Sequence, residues 1–435
     1  MSDFHQNGAV TTLHDLGGGN RAALEGLLAE AALDYKMGLV LPVTASDLRA
    51  EPFARIVESL RGVNYIDQIC VVLGQAPAEQ DYLDAQKLVS PLGPRARVLW
   101  SSGPVVQAVY RELTEAGFPL DVPGKGRSVW TAFGYLMADP RLKAFVLHDC
   151  DIVDYDRILL ARLCLPMAHP NLDFEFTKAF YHRSSDRMYG RVARLLVSPL
   201  LQSLISVLGS DPFLLFLESF RYPLSGEFAI SSALARSNRI PGDWGLEIGT
   251  LAEVFRNTAA KRVCQVDLGI TYDHKHQDLS LADPGRGLMK MAADIVGTVF
   301  RTLASRGQVI DATLVSTLRA AYLRCAQDRI RQYHADAVVN GLVYDRQAEE
   351  QIVDGFARQM ATAGEAFRAD PQGGAAIPNW ARVLTAFPDL PARLRAAAPP
   401  ASGASKIAVR RPSAKSTFWI SSSERFDITC SALSL

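Results

Sequence analysis

Hydrophobic and polar positions alternate in regular blocks along the first third of the chain. Continuous apolar runs, which are typical of strands buried on both faces, occupy 37–43, 67–74, 96–100 and 143–149. Apolar residues at three- and four-residue spacing predict amphipathic helices near 20–34, 48–61, 78–89, 104–117 and 126–138. Strands that alternate with helices predict an α/β fold with a mostly parallel sheet, whose ligands bind at the carboxyl ends of the strands.

The pattern changes after residue 171. A longer strand, an apolar helix and a return strand are predicted over 172–183, 191–209 and 262–270, with mixed strand topology. Helical spacing then dominates 287–305, 312–339 and 345–369. We therefore predict an N-terminal tail and helix at 1–36 and an α/β domain at 37–282. A helical C-terminal region follows at 283–395, and a flexible linker with a tail at 396–435.

Composition and charge narrow the class of protein. The 435 residues are 48% hydrophobic and carry a formal net charge of zero, so the chain can bury a large core and lacks the charge of a general nucleic-acid binder. No apolar run reaches the roughly 18 residues of a membrane span, and no leader pattern opens the sequence. Six scattered cysteines indicate reduced thiols. We expect a cytoplasmic enzyme or binding protein.

Two acids follow the fourth predicted strand. Asp149 and Asp151 are separated by Cys150, whose side chain is expected to point away from them because side chains alternate along extended backbone. Two carboxylates at a strand end can share Mg²⁺ or Mn²⁺, and the ion can bind a diphosphate. The alternative interpretation is a pair of turn or helix-capping acids.

A glycine-framed lysine precedes the helix predicted at 126–138. Gly124 and Gly126 allow close backbone approach, a helix start offers free N–H groups, and Lys125 adds a positive charge, which together suit a diphosphate. The spacing is not that of a Walker loop. A Pro-Gly turn with a solvated lysine is the alternative.

Further candidates lie between residues 224 and 278. His274 and His276 follow the return strand on one face of an extended segment and can ligate a cation. Glu247, in a glycine-framed turn, has the geometry to accept hydrogen bonds from sugar hydroxyls. Its alternative, which we favour for Glu227, is an acid at a helix N-terminus, where the helix dipole stabilises it.

Taken in order, six short motifs resemble the glycosyltransferase family of glucosyl-3-phosphoglycerate synthase and its mannosyl-transferring relatives. They are PGKG (123–126), DCD (149–151), YGRV (189–192), PLSGE (223–227), GLEIG (245–249) and VDLG with a following histidine (266–274). The resemblance covers about residues 37–280. It implies a Rossmann-like GT-A fold, a metal-dependent nucleotide-diphospho-sugar donor, retention of anomeric configuration, and glycerate or 3-phosphoglycerate as acceptor.

The resemblance also implies a role for individual residues. Lys125 matches a lysine near the donor diphosphate, and Asp149 and Asp151 match the metal-binding acids, with Asp151 the direct ligand. His274 matches a metal-binding histidine. Glu247 matches the acid that holds the donor sugar. Leu224 matches a residue whose backbone carbonyl lies beside the reaction centre, and Arg191 matches an arginine that binds the acceptor. Pro42 and Thr44 match the strand end that binds the nucleoside.

The chain departs from the family pattern at several positions. LPVTASDL offers Thr44, Ser46 and Asp47 where the family has Asn-Glu, which affects the nucleoside base. Ala193 replaces an acceptor-site threonine, and His276 aligns with an asparagine, so we assign His276 to the acceptor. A family arginine corresponds to Tyr272.

The sequence therefore predicts a hexosyltransferase that makes a glucosylglycerate-type compatible solute. It leaves the donor base and the choice between glucose and mannose open. The apolar stripe of the C-terminal helices is typical of a buried core, and a homodimer interface is the alternative interpretation. Two other functions remain: a sugar-phosphate nucleotidyltransferase, and a non-catalytic sugar-nucleotide-binding module.

Overall fold

A mixed sheet forms the centre of the fold. The computed structural model describes residue 6 and residues 8–17, 20–120, 123–269, 285–373 and 376–400. Within them, eight strands lie side by side in the order β1-β8-β6-β7-β5-β2-β3-β4. Their bounds are β1 Thr11–Leu13, β2 Lys36–Thr44, β3 Gln68–Gly74, β4 Ala96–Trp100, β5 Leu142–Leu147, β6 Phe176–Phe180, β7 Phe228–Ser231 and β8 Val263–Asp267.

Among the strands of the described residues, only β7 runs against its neighbours. It pairs antiparallel with β5 and β6, whereas the other neighbouring strands pair in parallel. The carboxyl ends of the parallel strands therefore share one edge with the amino end of β7. This reversal brings the segment before β7 to the edge where Asp149 and Asp151 follow β5.

Helices cover both faces of the sheet. In the first part of the chain they are α1 Arg21–Ala31, α2 Ala45–Leu48, α3 Glu51–Leu60, α4 Glu79–Val89, α5 Pro104–Glu115, α6 Lys125–Met137 and α7 Arg157–Ala168. After β6 come α8 Ser198–Leu208, α9 Pro212–Glu218, α10 Ser232–Ser237 and α11 Leu246–Asn257. A π-helical segment, Val192–Val197, leads directly into α8.

The C-terminal helices are α12 Gly287–Ser305, α13 Ala312–Val339, α14 Arg346–Ala369, α15 Trp380–Ala386 and α16 Leu390–Ala396. Asp311 and Asp345 cap α13 and α14, since each carboxylate accepts a hydrogen bond from a backbone N–H of the first turn. Apolar residues of these helices join one continuous core with β5, α6 and α8. No helix among the described residues is long and apolar enough to cross a lipid bilayer.

Most predicted elements are confirmed, and three of them differ in extent or type. The strand predicted over 172–183 is limited to β6. The helix predicted near 48–61 is α3, with the short α2 before it, and the apolar helix at 191–209 begins with the π-helical segment. β7, which was not predicted, has four residues, too few to show a period. The five described cysteines are free, as predicted.

Candidate functional site

The candidate site lies at the carboxyl edge of the sheet. Asp149 and Asp151 follow β5, Lys125 begins α6, and Glu247 lies in the first turn of α11. The Lys125 Nζ atom is 2.6 Å from Asp149 Oδ1 and 3.6 Å from Glu247 Oε1. Lys125, Asp149 and Glu247, which the sequence analysis selected from three separate motifs, thus share one cluster. More than 120 positions of sequence separate the first of them from the last.

Charge balance within the cluster keeps Lys125 protonated. Burial by itself lowers the pKa of Lys125, but the carboxylates of Asp149 and Glu247 outweigh that effect and raise it above its usual value. Burial also raises the pKa of Glu247, while Lys125 and the buried Lys178 oppose the increase. The lysine is therefore a fixed positive charge at the start of a helix, where anions are favoured.

Gly226 allows the segment before β7 to approach this cluster. A Cβ atom at Gly226 would lie 2.8 Å from Asp149 Cγ and 2.9 Å from Lys125 Nζ. Any larger residue would therefore displace the ion pair. The PLSGE motif contributes this close approach as well as a side chain.

Asp151 is the acid with unbalanced charge. Burial, followed by repulsion from Asp149, raises the pKa of Asp151 to about 7, and Lys125 opposes the increase. Within the described residues, the Asp151 carboxylate receives no hydrogen bond or ion pair. A half-buried carboxylate beside another acid suits a hard divalent cation, which prefers oxygen ligands.

The carboxylate oxygens of Asp149 and Asp151 are ligands of the kind that Mg²⁺ and Mn²⁺ prefer, but the described residues do not show the rest of a metal site. No group of three or more histidine, cysteine or acidic side chains in the described ranges is arranged to hold a metal ion. The predicted residues His274 and His276 lie outside the described residues, as does Tyr272. Their predicted roles therefore stay predictions.

A buried lysine beneath the site was missed by the sequence analysis. Lys178 on β6 is buried, and its Nζ atom donates to the Ser225 carbonyl at 2.6 Å. Burial lowers the pKa of Lys178 to about 8, against the attraction of Glu247 and Glu227. One polar residue inside the apolar strand FTKAF was the available signal. Its ammonium holds the loop that contains Leu224 and Gly226.

Glu227 does not begin a helix. It lies directly before β7, is buried, and accepts a hydrogen bond of 2.9 Å from the Tyr181 hydroxyl. The interpretation of Glu227 as a helix N-terminal acid is therefore wrong, because that interpretation assumed a helix where the structure has a strand. Leu224, three residues earlier, is half-buried on the same loop.

The predicted nucleoside end is a helix cap. Thr44 ends β2, pairs with Gly74 of β3, and caps α2. Its backbone N–H and its hydroxyl both donate to Asp47 Oδ2, at 2.9 and 2.6 Å. Pro42 is half-buried two residues earlier. The Thr44 and Asp47 side chains thus bond to each other and fix the turn at this strand end.

Arg191, the predicted acceptor-binding residue, and Arg183 both lie in the segment that follows β6. Arg191 immediately precedes the π-helical segment, and its Nε atom is 4.0 Å from Glu349 Oε1 of α14. Arg183, which the sequence analysis missed, donates to the Tyr222 hydroxyl at 3.3 Å. Burial lowers the pKa of Arg183, but Tyr222 and other neighbours, including Asp151, raise it overall. Arg183 therefore adds positive charge near Asp151 and Tyr222.

A separate cavity of about 580 Å³ opens at the opposite edge of the sheet, near the amino ends of β3 and β4. Arg95 and Arg97 line it, but both donate to backbone carbonyls of their own surroundings. Their role there is structural, and the chemistry-bearing residues lie at the other edge.

Comparison with known proteins gives close relatives along nearly the whole chain. No protein-family model matches. Glucosyl-3-phosphoglycerate synthase of Persephonella marina is 42% identical over 394 residues, 91% of this chain and 97% of that protein. The Methanococcoides burtonii protein of the same name is 39% identical over 397 residues, 90% and 96% respectively. The structure of mannosyl-3-phosphoglycerate synthase from Rubrobacter xylanophilus aligns with a TM-score of 0.52 at 23% identity, over 69% of this chain and 83% of that one. This likeness confirms the predicted fold class.

Proposed function

The chain belongs to the glucosyl-3-phosphoglycerate synthase family of GT-A glycosyltransferases, and from this premise we propose that it transfers glucose from a nucleoside-diphospho-glucose to 3-phosphoglycerate. The cluster of Lys125, Asp149 and Glu247 beside Asp151 is the observation that carries the proposal. It brings the ammonium group of Lys125, the two acids proposed to bind the metal, and the acid proposed to bind the sugar hydroxyls to one edge of the sheet. Binding of a nucleotide-sugar donor needs all of these groups close together.

The donor diphosphate is proposed to bind at the start of α6. Lys125 and the free N–H groups of the first helical turn offer positive charge to the phosphates. Asp151, with Asp149 beside it, would hold Mg²⁺ or Mn²⁺. Such an ion, when bound, neutralises the departing nucleoside diphosphate. Lys125, which contacts Asp149, keeps the two acids from repelling the donor.

Glu247 is proposed to orient the hexose. Its carboxylate is buried, lies within ion-pair distance of Lys125, and can accept hydrogen bonds from two neighbouring hydroxyls. Because Lys125 restrains Glu247 from one side, the carboxylate that would accept hydrogen bonds from the sugar is held in a fixed position. Positioning of this kind contributes several kcal/mol to a group transfer.

The acceptor is proposed to approach from the side of Arg191. During transfer the bond from the anomeric carbon to the diphosphate oxygen breaks and a bond to the acceptor hydroxyl forms. We propose that the departing phosphate oxygen takes the hydroxyl proton on the same face of the sugar. The configuration is thereby retained, and the Leu224 carbonyl is proposed to lie beside the reacting carbon. His276 remains a proposed acceptor contact.

A matrix of donors and acceptors tests this proposal. The full chain is incubated with Mg²⁺ or Mn²⁺, with UDP-, GDP- or ADP-glucose or GDP-mannose, and with 3-phosphoglycerate or glycerate. We expect glucose transfer to 3-phosphoglycerate, with the anomeric coupling constant of the donor kept in the product by NMR. Transfer to neither acceptor would contradict the proposal.

The same assay separates the other two functions. Pyrophosphate release from a nucleoside triphosphate and a sugar phosphate would identify a nucleotidyltransferase. Donor binding without transfer and without metal-dependent donor hydrolysis would identify a binding module. The predicted homodimer and the cytoplasmic location stay predictions, and sedimentation equilibrium tests the first.

A further inference from the structure

The loop that carries Arg191 is attached to the C-terminal helices. We define residues 183–191 as the acceptor loop. Its ends are closed by a bridge between Ser184 and Met188 and by a hydrogen bond from Tyr189 N to Arg183 O of 2.9 Å. Gly190 has a φ of 70°, which lets the chain turn sharply into the π-helical segment.

One attachment is through backbone. The Val343 N–H, in the connection between α13 and α14, donates to the Asp186 carbonyl at 2.8 Å, and Arg187 and Val343 form a parallel bridge. A strand-like pairing thus connects the tip of the acceptor loop to the helical region.

The second attachment is a buried ion pair. Arg194 donates to both carboxylate oxygens of Glu349 at 3.0 and 2.7 Å, and the two side chains are only 12% and 7% exposed. Arg194 Nε also donates to the Tyr189 carbonyl at 2.9 Å. The Tyr344 hydroxyl donates to Glu349 Oε2 at 2.7 Å. Glu349 is therefore fixed by two partners while Arg194 holds the turn that presents Arg191.

These contacts leave Glu349 facing Arg191 itself, at 4.0 Å from its Nε atom. A planar guanidinium held on one side by a fixed carboxylate keeps its remaining donors directed elsewhere. We infer that Glu349 is a positioning residue for acceptor binding, and that α13 and α14 form part of the acceptor site. The inference rests on the proposed function through Arg191. It gives the helical region a role in catalysis.

Substitution of Glu349 by glutamine tests the inference. Glu349→Gln keeps the side-chain size but removes the charge that Arg194 and Arg191 face. We expect the KM for 3-phosphoglycerate to rise roughly tenfold, as for loss of one charge-assisted hydrogen bond. The KM for the donor and metal-dependent donor hydrolysis without acceptor should not change. Tyr344→Phe, which removes one hydrogen bond to Glu349, should give a smaller change in the same direction.

A matched control separates positioning from general destabilisation. Glu25 forms a partly buried pair with Arg157 at 3.0 Å, away from the acceptor loop. Glu25→Gln should leave both KM values unchanged even if it lowers the melting temperature. An unchanged acceptor KM in folded Glu349→Gln and Tyr344→Phe, or an equal rise in donor and acceptor KM, would overturn the inference.

Arg191→Lys distinguishes failure of this inference from failure of the proposed function. If Arg191→Lys raises the acceptor KM and Glu349→Gln does not, only the role of Glu349 is refuted. If Arg191→Lys also leaves the acceptor KM unchanged, the acceptor side of the proposed function is wrong.

Discussion

At the scale of single residues, the candidate site carries more negative than positive charge. Four carboxylates and two ammonium groups interact across it, namely Asp149, Asp151, Glu227 and Glu247 with Lys125 and Lys178. Two further charges act on Asp151, the negative charge of Asp47 and the positive charge of Arg183, and they leave this excess unchanged. A divalent cation would restore the balance. The anionic character of this edge follows from the side chains of five separate segments.

Gly226 provides a test of close packing in the site. Gly226→Ala puts a methyl group against Asp149 and Lys125, so the ion pair must move. We expect kcat/KM to fall about 100-fold, as for a displacement of about 1 Å in a catalytic site. Steady-state kinetics with both substrates measures the change.

The control for this substitution is Gly26→Ala. A Cβ atom at Gly26, inside α1, meets nothing within 4 Å. It should raise the free energy of unfolding by about 0.5–1 kcal/mol and leave activity unchanged. Wild-type activity in Gly226→Ala would show that the cluster tolerates displacement.

Lys178 predicts a pH dependence of stability. Its pKa falls from 10.5 to about 8 in the folded protein, chiefly through burial, so the unfolded chain binds this proton more tightly. The free energy of unfolding therefore gains a contribution that is present above pH 10.5 and is lost as the pH falls through about 8. Lys178→Met should flatten this slope, stabilise the protein at pH 7 by about 1–2 kcal/mol, and lower activity because Ser225 loses its donor.

Urea unfolding between pH 7 and 10 measures this effect, with Lys143→Met as the control. Lys143 is an exposed lysine on β5, so its substitution should keep the wild-type slope. An unchanged slope in Lys178→Met would contradict the assignment.

At the scale of elements, helix α6 connects the catalytic edge to the C-terminal helices. Lys125 begins α6, and Trp130 in its middle stacks on Trp380 of α15 with ring centroids 4.2 Å apart. Each indole N–H donates to backbone across this contact, Trp380 Nε1 to Trp130 O and Trp130 Nε1 to Pro378 O. The position of Lys125 therefore depends on packing near the end of the described chain.

Removal of this aromatic contact should weaken the whole protein. Trp380→Ala leaves a cavity over Trp130 and Gly134, so we expect a loss of about 3–5 kcal/mol in the free energy of unfolding. Trp380→Phe should lose less, because it keeps most of the packing. Chemical denaturation measures both values. Equal stability of the alanine variant and wild type would show that α15 packs loosely.

Long periodic elements were predictable from sequence, and short ones were not. The helices predicted at 287–305 and 312–339 coincide with α12 and α13, because their apolar stripes extend over many turns. β1 and β7 are three and four residues long, so they show no period, and pairing with long neighbouring strands forms them. Tertiary context determined these strands.

At the scale of the whole molecule, the α/β sheet and the C-terminal helices share one core. Phe145 of β5, Leu136 of α6 and Phe300 of α12 belong to the same buried cluster. The motifs gave the candidate residues, since separate glycine-framed and acidic segments follow strands. The contacts that Lys178, Arg183 and Glu349 make were not predictable, because each depends on which elements the fold brings together.

The shared core predicts that the sheet does not fold without its helices. A chain of residues 1–283 should lack a cooperative unfolding transition, because it exposes the apolar residues that α12 to α16 cover. Circular dichroism during thermal unfolding compares it with the full chain. A cooperative transition in the short chain would show that the sheet folds without the C-terminal helices.

Titration with Mn²⁺ shows whether Asp151 belongs to a metal site. The signal of free Mn²⁺ in electron paramagnetic resonance falls when the ion binds protein, so titration gives its affinity in the presence of a nucleoside diphosphate. We expect binding by the wild type and at least about tenfold weaker binding by Asp151→Asn, which loses a charged oxygen ligand. Equal affinity in the two proteins would contradict the assignment of Asp151 to the metal.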